Sequence, residues 1–286
     1  MLQSIPDAVV VSDRDGKIVF VNRQAEDMTG YSRDQLIGRN VEILVPERKR
    51  SLHEGYRTSF YEAGGGPRLL EAREHDFLVR RKDGTNLPVE ITLGPVGAEA
   101  KRHTIAVLRN VAERRKLELA LEHRALHDPL TDLANRNLFY DRFRQSLHAA
   151  RRENGTVALV MLDLDEFKAV NDAHGHAVGD DALKKVASRL RLGLRATDTA
   201  ARLGGDEFAW ILPNVSSRAT IETMVRERLS NVREPMQVGD VQIVIGVSAG
   251  IALYPEDGRD VDSLMKHADA ALYAAKKAGD GVLFYG

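Results

Sequence analysis

Two adjacent glycines followed by two adjacent carboxylates, Gly204-Gly205-Asp206-Glu207, are the residues of this sequence best suited to chemistry. Apolar runs flank them, which predicts a β-hairpin with strands over 200–203 and 208–212. Glycines adopt positive φ and lack a Cβ, so a bulky polyanion could approach the turn backbone, with hard oxygen ligands beside it. This arrangement suits a nucleoside triphosphate bound with Mg²⁺. The simpler alternative is an ordinary hairpin with a solvated acidic tip.

A further carboxylate follows the apolar run 157–162, which predicts a buried central strand that ends in Asp163-Leu164-Asp165. A carboxylate at a strand end beside a hairpin tip is well placed to share a metal. We therefore expect Asp163 and Asp206 to be ligands from two strands, with Glu207 nearby and the Leu164 carbonyl as a further oxygen. Phosphate oxygens and water would complete the octahedral shell of Mg²⁺, for which Mn²⁺ is the alternative.

Asn171 and Asp180 are of the right types to read guanine. An amide can donate to and accept from the edge of the base, and a carboxylate can accept from the N1 and N2 donors, which adenine could not match. Both residues also have a structural alternative, because Asn and Asp cap helices, and Asp180 could be the N-cap of a helix predicted to run to about residue 195.

In this order, these residues resemble the GGDEF signature of diguanylate cyclases, and 127–136 resembles the segment that opens such domains before a helix to about residue 153. The resemblance implies an enzyme that joins two GTP molecules into cyclic di-GMP with loss of two pyrophosphates. It implies that Asp163, Asp206 and Glu207 are catalytic and, with Leu164, bind metal. The residues implied to bind GTP are Phe167, Lys168, Asn171, Asp180, Gly204, Gly205 and Lys276.

Two further features of the sequence gain a meaning only through this resemblance. An Arg-x-x-Asp pattern such as Arg195-x-x-Asp198 occurs often by chance in a highly charged chain and would usually mark a solvated helix end. Its placement before the glycines, however, resembles the inhibitory site of diguanylate cyclases, which holds cyclic di-GMP. Product inhibition is therefore expected. The family commonly has an arginine where this chain has Asp280, so one cation is missing, and Lys277 is the candidate to compensate.

The first 112 residues predict an antiparallel sheet with short helices. Strand-like runs flank an Asp15-Gly16 turn, a second pair covers 73–79 and 87–93, and a last strand covers 104–108. The order of the motifs resembles a PAS domain, which implies a sensor of small molecules, light, redox state or partners. The motifs that carry it are 13–16 with Asn22, 30–32 with 36–38, and 81–84 with Pro88.

His53 lies where PAS domains similar to haem-based oxygen sensors carry their axial histidine, so haem is one candidate ligand. The alternative, which we favour, is a histidine on a surface helix, because the arginine expected on a later strand of such sensors is His75 here. There is no cysteine to form a flavin adduct.

Residues 110–126 are strong helix formers, with Leu117 and Leu121 one turn apart, and predict a helix between the two halves. Two chains could pair there as a homodimer, although the length is too short to establish a coiled coil. PAS proteins usually begin this junction with Asp-x-Thr. Here the positions are Asn110 and Ala112, which puts the usual polar coupling in doubt.

Composition excludes several classes of function. The 41 basic and 42 acidic residues give a formal net charge of −1, so no basic field indicates nucleic acid or a membrane surface. The absence of cysteine fits a reducing compartment, and neither an apolar run of about 18 residues nor a signal peptide is visible, so a cytoplasmic protein is expected.

The two resemblances together imply a two-domain α+β or α/β chain: a PAS domain over 1–112, a helical linker over 113–126, and a GGDEF domain over 127–286. The last would have a mostly antiparallel central sheet flanked by helices, as in nucleotidyl cyclases. The expected partners are GTP, cyclic di-GMP and a second copy of the chain. The alternatives are a weak or inactive domain that binds GTP or cyclic di-GMP, and a scaffold whose PAS domain recruits a partner.

Overall fold

A computed structural model of the protein describes residues 2–62, 68–70, 77–96, 103–279 and 281–286. His75, Asp280 and residues 73–76 of one predicted strand lie outside the described residues. The chain divides into two compact units, Met1–Ala120 and Leu121–Gly286.

The first unit is a six-stranded antiparallel sheet with strand order β2-β1-β6-β5-β3, in which β4 also pairs with β5. The predicted turn at Gly16 forms, with φ of 82°. The core of this unit includes Val10, Ile18, Leu36 and Val89. The strands are β1 Ala8–Ser12, β2 Ile18–Val21, β3 Arg68–Leu70, β4 Leu78–Arg80, β5 Asn86–Val96 and β6 His103–Asn110, and the helices are α1 Arg23–Thr29, α2 Arg33–Leu36 and α3 Arg50–Glu62.

Asn22 shows how one buried polar residue organises this unit. Its Oδ1 accepts hydrogen bonds from the backbone N of Ala25, as the N-cap of α1, and from the backbone N of Val9, both at 2.9 Å. Its Nδ2 donates to the Asp7 carbonyl at 2.9 Å. Asn22 therefore ties the first strand to the first helix.

Helix α4 (Ala112–Leu126) follows β6 directly, and none of its residues is buried. Leu117 and Leu121 are 59% and 65% exposed, so the helix buries neither leucine within the chain. The backbone N of Ala112 donates to Asn110 Oδ1 at 2.9 Å, and Arg114 forms an ion pair with Glu90 on β5. A polar connection between the sheet and the helix is thus present despite the departure from Asp-x-Thr.

The second unit has a five-stranded sheet of order β13-β12-β7-β9-β8, in which only the β12–β13 pair is parallel. A separate hairpin joins β10 to β11. The strands are β7 Val157–Asp165, β8 Thr199–Gly204, β9 Glu207–Pro213, β10 Met236–Val238, β11 Val241–Ile243, β12 Gly246–Tyr254 and β13 Val282–Phe284, and the helices are α5 Arg136–Glu153, α6 Phe167–His174, α7 His176–Arg191, α8 Arg218–Arg233 and α9 Val261–Ala278.

The central strand β7 is buried on both faces, and its alternation determines which helices each side chain meets. Val160 and Leu162 belong to the core cluster that α7 and α8 complete, whereas Leu159 and Met161 belong to the cluster that α5 and α9 complete. By the same alternation, Asp163 lies on the side of α5 and α9. A Cβ at Gly250 on β12 would lie 2.1 Å from the Ala268 carbonyl oxygen, so glycine permits the close approach of α9 to the sheet.

Two sequence-based expectations for this unit were wrong. Helix α7 begins at His176, with Gly175 as its N-cap, and ends at Arg191 rather than near 195. Asp180 is therefore in the interior of the helix and is not an N-cap.

The helix expected to end near residue 153 was confirmed as α5. Asn135 caps α5, which ends at Glu153, and Gly279 ends α9 with φ of 69° in the left-handed conformation. Among the described residues, no helix is long and apolar enough to cross a membrane.

Candidate functional site

The site is built around Asp163 at the end of β7. In the pairing of β7 with β9, Asp163 is directly opposite Glu207, so the register brings the strand-end carboxylate to the base of the hairpin tip. Lys276, in the last turn of α9, donates a hydrogen bond to Asp163 Oδ1. The close packing of α9 on β12 therefore delivers a cation to the acidic strand end.

The electrostatics of Asp163 reflect its burial. Desolvation raises the pKa of its carboxyl group, the contact with Lys276 partly counteracts this, and the negative charges of Asp206 and Asp165 raise the pKa further, so that the net shift is upward. Asp165 itself accepts a hydrogen bond from the buried Ser248 hydroxyl at 2.8 Å. Negative charge is thus concentrated at this edge of the sheet.

The hairpin tip forms as predicted, between β8 and β9. Gly204 and Gly205 have φ of 156° and 51°, and a Cβ at either would meet no atom within 4 Å, so the tip is open. The tip is also joined to the central strand, because the backbone N of Leu164 donates to the Asp206 carbonyl at 3.3 Å. An open, glycine-rich backbone beside carboxylates is suited to a polyanion with its cation.

Arg202 holds the tip in place, and sequence reasoning assigned it no role. Its Nε and Nη2 donate to the Gly205 carbonyl at 2.9 and 2.8 Å, and its Nη1 donates to Asp128 Oδ1 at 3.0 Å. The side chains of Arg202 and Asp128 are only 11% and 19% exposed. The signal in the sequence was an arginine three residues before the turn, but its partner Asp128 is 74 residues distant.

The carboxylate of Asp128 accepts three hydrogen bonds. Burial alone would raise its pKa, but hydrogen bonds from the Thr131 side chain and backbone and from Arg202 outweigh it, so the pKa of Asp128 lies below its usual value. Asp128 is therefore held as an anion that orients the guanidinium behind the turn.

A cavity of about 390 Å³ adjoins the tip. It brings together Asn171 on α6, Asp180 on α7, and Gly205 and Asp206 at the tip. The residues that line it are Phe167, Lys168, Asn171, Asp172, His176, Asp180, Leu183, Arg202, Gly205 and Asp206. Six of these ten are among the residues that the sequence singled out, while Asp172, His176, Leu183 and Arg202 are additions.

Gly179 explains how Asn171 and Asp180 share this cavity. A Cβ at position 179 would lie 1.9 Å from Asn171 Oδ1, so only glycine leaves room for the amide against the first turn of α7. Asp180 is the next residue and is exposed to the cavity. An amide and a carboxylate therefore line the same cavity, and together they match a purine edge that has both donors and an acceptor.

The donor set at the strand end is compatible with a divalent cation. In the part of the chain that the structure describes, no three His, Cys, Asp or Glu residues are close enough to bind a metal by themselves. Mg²⁺ is commonly bound through one or two carboxylates together with substrate phosphates, so the carboxylates of Asp163 and Asp206 with the Leu164 carbonyl fit this ion.

Other predicted site residues have different surroundings. The Lys277 ammonium lies 4.3 Å from the ring centroid of Tyr273. Asp198 Oδ2 accepts a hydrogen bond from the backbone N of Arg195 at 2.8 Å, so the two residues form a closed turn and not a side-chain ion pair.

His53 on α3 is hydrogen-bonded to a carboxylate. Its Nδ1 lies 2.9 Å from Oε1 of Glu42, a carboxylate with only 6% exposure, and Arg57 donates to the same oxygen at 3.3 Å. A ring nitrogen held by a carboxylate is also the usual arrangement of a metal-ligating histidine, so haem at His53 stays a prediction. His53 lies on α3, so the helix assumed in the alternative of a surface histidine is present.

Comparison with known proteins agrees with this geometry. The family described as diguanylate cyclase, GGDEF domain, matches residues 125–281, and the family described as PAS fold matches residues 1–111. The chain belongs to the GGDEF-domain family. Its two-unit α+β architecture and its PAS domain are thereby established together with the family.

Individual GGDEF proteins are similar at moderate identity. The probable diguanylate cyclase DgcE of Escherichia coli is 35% identical over 98% of this chain, and the bifunctional diguanylate cyclase/cyclic di-GMP phosphodiesterase MucR of Pseudomonas aeruginosa is 43% identical over 65%. The chain spans only 25% and 27% of the length of these relatives. A crystal structure of the coiled coil and GGDEF domain of DgcB from Caulobacter crescentus, in complex with c-di-GMP, matches with a TM-score of 0.55 and 34% identity, over 61% of this chain and 94% of that one.

Proposed function

We propose that the protein is a PAS-regulated diguanylate cyclase that condenses two GTP molecules into cyclic di-GMP and two pyrophosphates. The observation that carries the proposal is the shared cavity, in which Asn171 and Asp180 adjoin the hairpin tip with Asp206. Transfer of a guanylyl group from GTP requires side chains that recognise guanine, an open backbone that admits the phosphates, and carboxylates that can bind a metal ion. All three lie at this end of the second unit.

Each residue has a defined task in this proposal. Asn171 and Asp180 select guanine, with Phe167 and Leu183 as the apolar wall of the cavity. Lys168 and the backbone of Gly204 and Gly205 accommodate the phosphates. Lys276, which pairs with Asp163 in the absence of substrate, would reach the triphosphate as a compact positive charge.

In the chemical step, the 3′-oxygen of one GTP forms a bond to the α-phosphorus of the other, and the bond from that phosphorus to the β-phosphate oxygen breaks to release pyrophosphate. Asp163, Asp206 and the Leu164 carbonyl would hold Mg²⁺ or Mn²⁺, and the bound ion would lower the pKa of the attacking hydroxyl and neutralise charge on the leaving group. The hydroxyl proton passes to Glu207 or Asp206. Arg202 fixes the tip so that these carboxylates stay in position.

The product has two-fold symmetry, whereas one domain offers one GTP site, so we propose a homodimer with two sites face to face. The exposed Leu117 and Leu121 of α4 supply an apolar stripe for pairing. In this scheme, 1–112 is the PAS sensor, 113–126 is the linker that transmits its signal, and 127–286 is the catalytic domain.

Feedback inhibition belongs to the same proposal. Arg195 and Asp198 form a closed, exposed turn outside the cavity, and the similar DgcB structure contains c-di-GMP. A guanidinium suits both phosphate and the acceptor edge of guanine, so Arg195 and Asp198 would hold the product as an inhibitor.

The test is incubation of the purified chain with GTP and Mg²⁺, with pyrophosphate release followed over time and the nucleotide product identified by chromatography. We expect cyclic di-GMP from the wild type and none from Asp163→Ala. A wild type that binds GTP but forms no product over a range of protein concentrations, with and without Mn²⁺, contradicts the proposal.

A further inference from the structure

The last turn of α4 carries a histidine that contacts a carboxylate beyond the end of the helix. His123 Nε2 lies 2.6 Å from Asp132 Oδ1, and both residues belong to the second unit. An ionised carboxylate can only accept a hydrogen bond, so Nε2 is the donor. The two side chains are 53% and 66% exposed, so the contact adds little to the stability of the whole unit. Its effect is therefore local, on the opening of this turn.

The backbone of Asp132 has a conformation that favours a different residue. Its φ of 61° lies in the left-handed region, where glycine has no steric cost from a Cβ. Aspartate tolerates this region better than most residues, but glycine adopts it more readily still. The chain thus has a carboxylate where the backbone alone would favour glycine, and this carboxylate is the group that meets His123. Such local strain is typical of positions at which a side chain has a functional task.

Further contacts hold the same end of α4. The backbone N and the Nδ1 of His127 both donate to the His123 carbonyl, at 2.8 and 3.1 Å. The two imidazole rings are stacked, with their centroids 4.0 Å apart. Asn135 Nδ2 donates to the Ala125 carbonyl at 2.7 Å. The contact of His123 with Asp132 therefore extends this attachment further back along the helix.

The segment that contains Asp132 also supports the hairpin tip. The backbone N of Asp132 donates to the Asp128 carbonyl at 2.9 Å. The Asp128 carboxylate accepts a hydrogen bond from Arg202, which also donates to the Gly205 carbonyl. The end of α4 and the hairpin tip are therefore attached to the same short stretch of backbone, 127–135.

We infer that the contact between His123 and Asp132 fixes the last turn of α4 on the second unit, and that both are positioning residues for the reaction. The second part rests on the proposed function, because it assumes that two catalytic domains must face each other in a homodimer. With the contact present, the end of α4 and the segment 127–135 move as one body, so a displacement of the helix is passed to the catalytic domain. Without it, residues 121–124 gain freedom, and the two sites are aligned for a smaller fraction of the time. Binding of GTP by one domain needs no such alignment.

The test compares Asp132→Gly, His123→Phe and the double variant with the wild type. Asp132→Gly suits the backbone and removes only the carboxylate, whereas His123→Phe keeps a ring against His127 and removes the donor. Glu122→Gln is the matched control, because it removes a negative charge from the same exposed turn. Amide hydrogen exchange over 121–127 should be roughly 2- to 5-fold faster in both single variants. The double variant should exchange no faster than either, since each loss removes the same contact.

Initial rates test the second part of the inference. We expect the two single variants to reduce kcat roughly 2- to 5-fold and to leave KM for GTP within about twofold of the wild type. Faster exchange with unchanged kcat would show a contact that is only structural, which overturns the positioning role. A change of the same size in Glu122→Gln would assign both effects to the charge of the turn, which also overturns it.

The two parts fail separately. Unchanged exchange over 121–127 in both Asp132→Gly and His123→Phe overturns the inference, whatever the activity. A wild type that forms no cyclic di-GMP removes the proposed function and with it the positioning role. The exchange comparison still decides, in that case, whether the contact fixes the end of α4.

Discussion

Asp163 on β7 and Glu207 on β9 are directly opposite each other on adjacent antiparallel strands. Like charges in such a pair destabilise a sheet, and Asp206 and Asp165 add further negative charge around Asp163. The Lys276 ammonium offsets this in part. The strand end therefore has a charge arrangement that favours a bound cation at the expense of the stability of the fold.

Asp163→Asn is expected to raise the stability of the metal-free protein at pH 7. Burial and the neighbouring carboxylates raise the pKa of Asp163 in the folded state, so its ionised form disfavours folding. The wild type should gain stability relative to the variant as the pH falls through this raised pKa towards the ordinary value of 3.8. Urea unfolding of both proteins between pH 7 and pH 4 measures the difference. A variant less stable than the wild type at pH 7 would show that the contact with Lys276 outweighs the burial of the charge.

Asp128→Asn is expected to have the opposite pH dependence. The pKa of Asp128 is lowered in the folded state, so its contribution to stability is present above the unfolded value of 3.8 and is lost as the pH falls through the folded value. We expect the variant to be less stable by about 2 kcal/mol at pH 7, the usual size of a hydrogen bond to a charged group. The difference in the free energy of unfolding between variant and wild type should disappear as the pH falls below the pKa of Asp128 in the folded state. A difference in the free energy of unfolding that stays constant from pH 7 to acid would mean that the charge of Asp128 contributes nothing to stability.

Asp180→Asn should weaken discrimination for guanine. The amide cannot accept from both N1 and N2 as the carboxylate does, so KM for GTP should rise about 10- to 100-fold and the preference for GTP over inosine triphosphate should shrink. Asp181→Asn is the matched control, because the adjacent Asp181 is exposed and paired with Lys184. Equal effects of the two substitutions would remove Asp180 from the recognition of the base.

Leu117→Glu combined with Leu121→Glu should produce monomers with low specific activity, since a charge on the apolar stripe of α4 opposes pairing. Leu119→Glu is the control, because Leu119 is 65% exposed but lies on the opposite side of the helix. Sedimentation and the dependence of specific activity on protein concentration report the outcome. Activity that is independent of concentration in every variant would argue against a dimeric enzyme.

Local patterns were enough to predict the elements that carry the site. The apolar run before Asp163 predicted a strand and the glycines before Asp206 predicted a turn, and both were correct because each depends on neighbours in sequence. The order of the PAS-like and GGDEF-like motifs along the sequence correctly predicted the order of the two domains. The start of α7 at His176 was missed because glycine at 179 reads as a helix breaker, although its lack of a side chain is what accommodates Asn171.

The contacts that support the site could not be predicted in the same way. Lys276 meets Asp163 across 113 residues, and Arg202 meets Asp128 across 74. Both pairs depend on the packing of α9 on the sheet or on the register of β8, which no short pattern encodes. The pairing of His53 with the buried Glu42 across 11 residues is another contact that no short pattern predicted.

We propose that the carboxylates at the strand end and hairpin tip are required to convert bound GTP into cyclic di-GMP. The most direct measurement compares GTP affinity and turnover in the wild type and in Asp206→Ala, with the same Mg²⁺ concentration and protein concentration. We expect Asp206→Ala to bind GTP within about tenfold of the wild type and to form cyclic di-GMP at least about 100-fold more slowly, because this group acts mainly in the transition state. Equal turnover by the two proteins would contradict it.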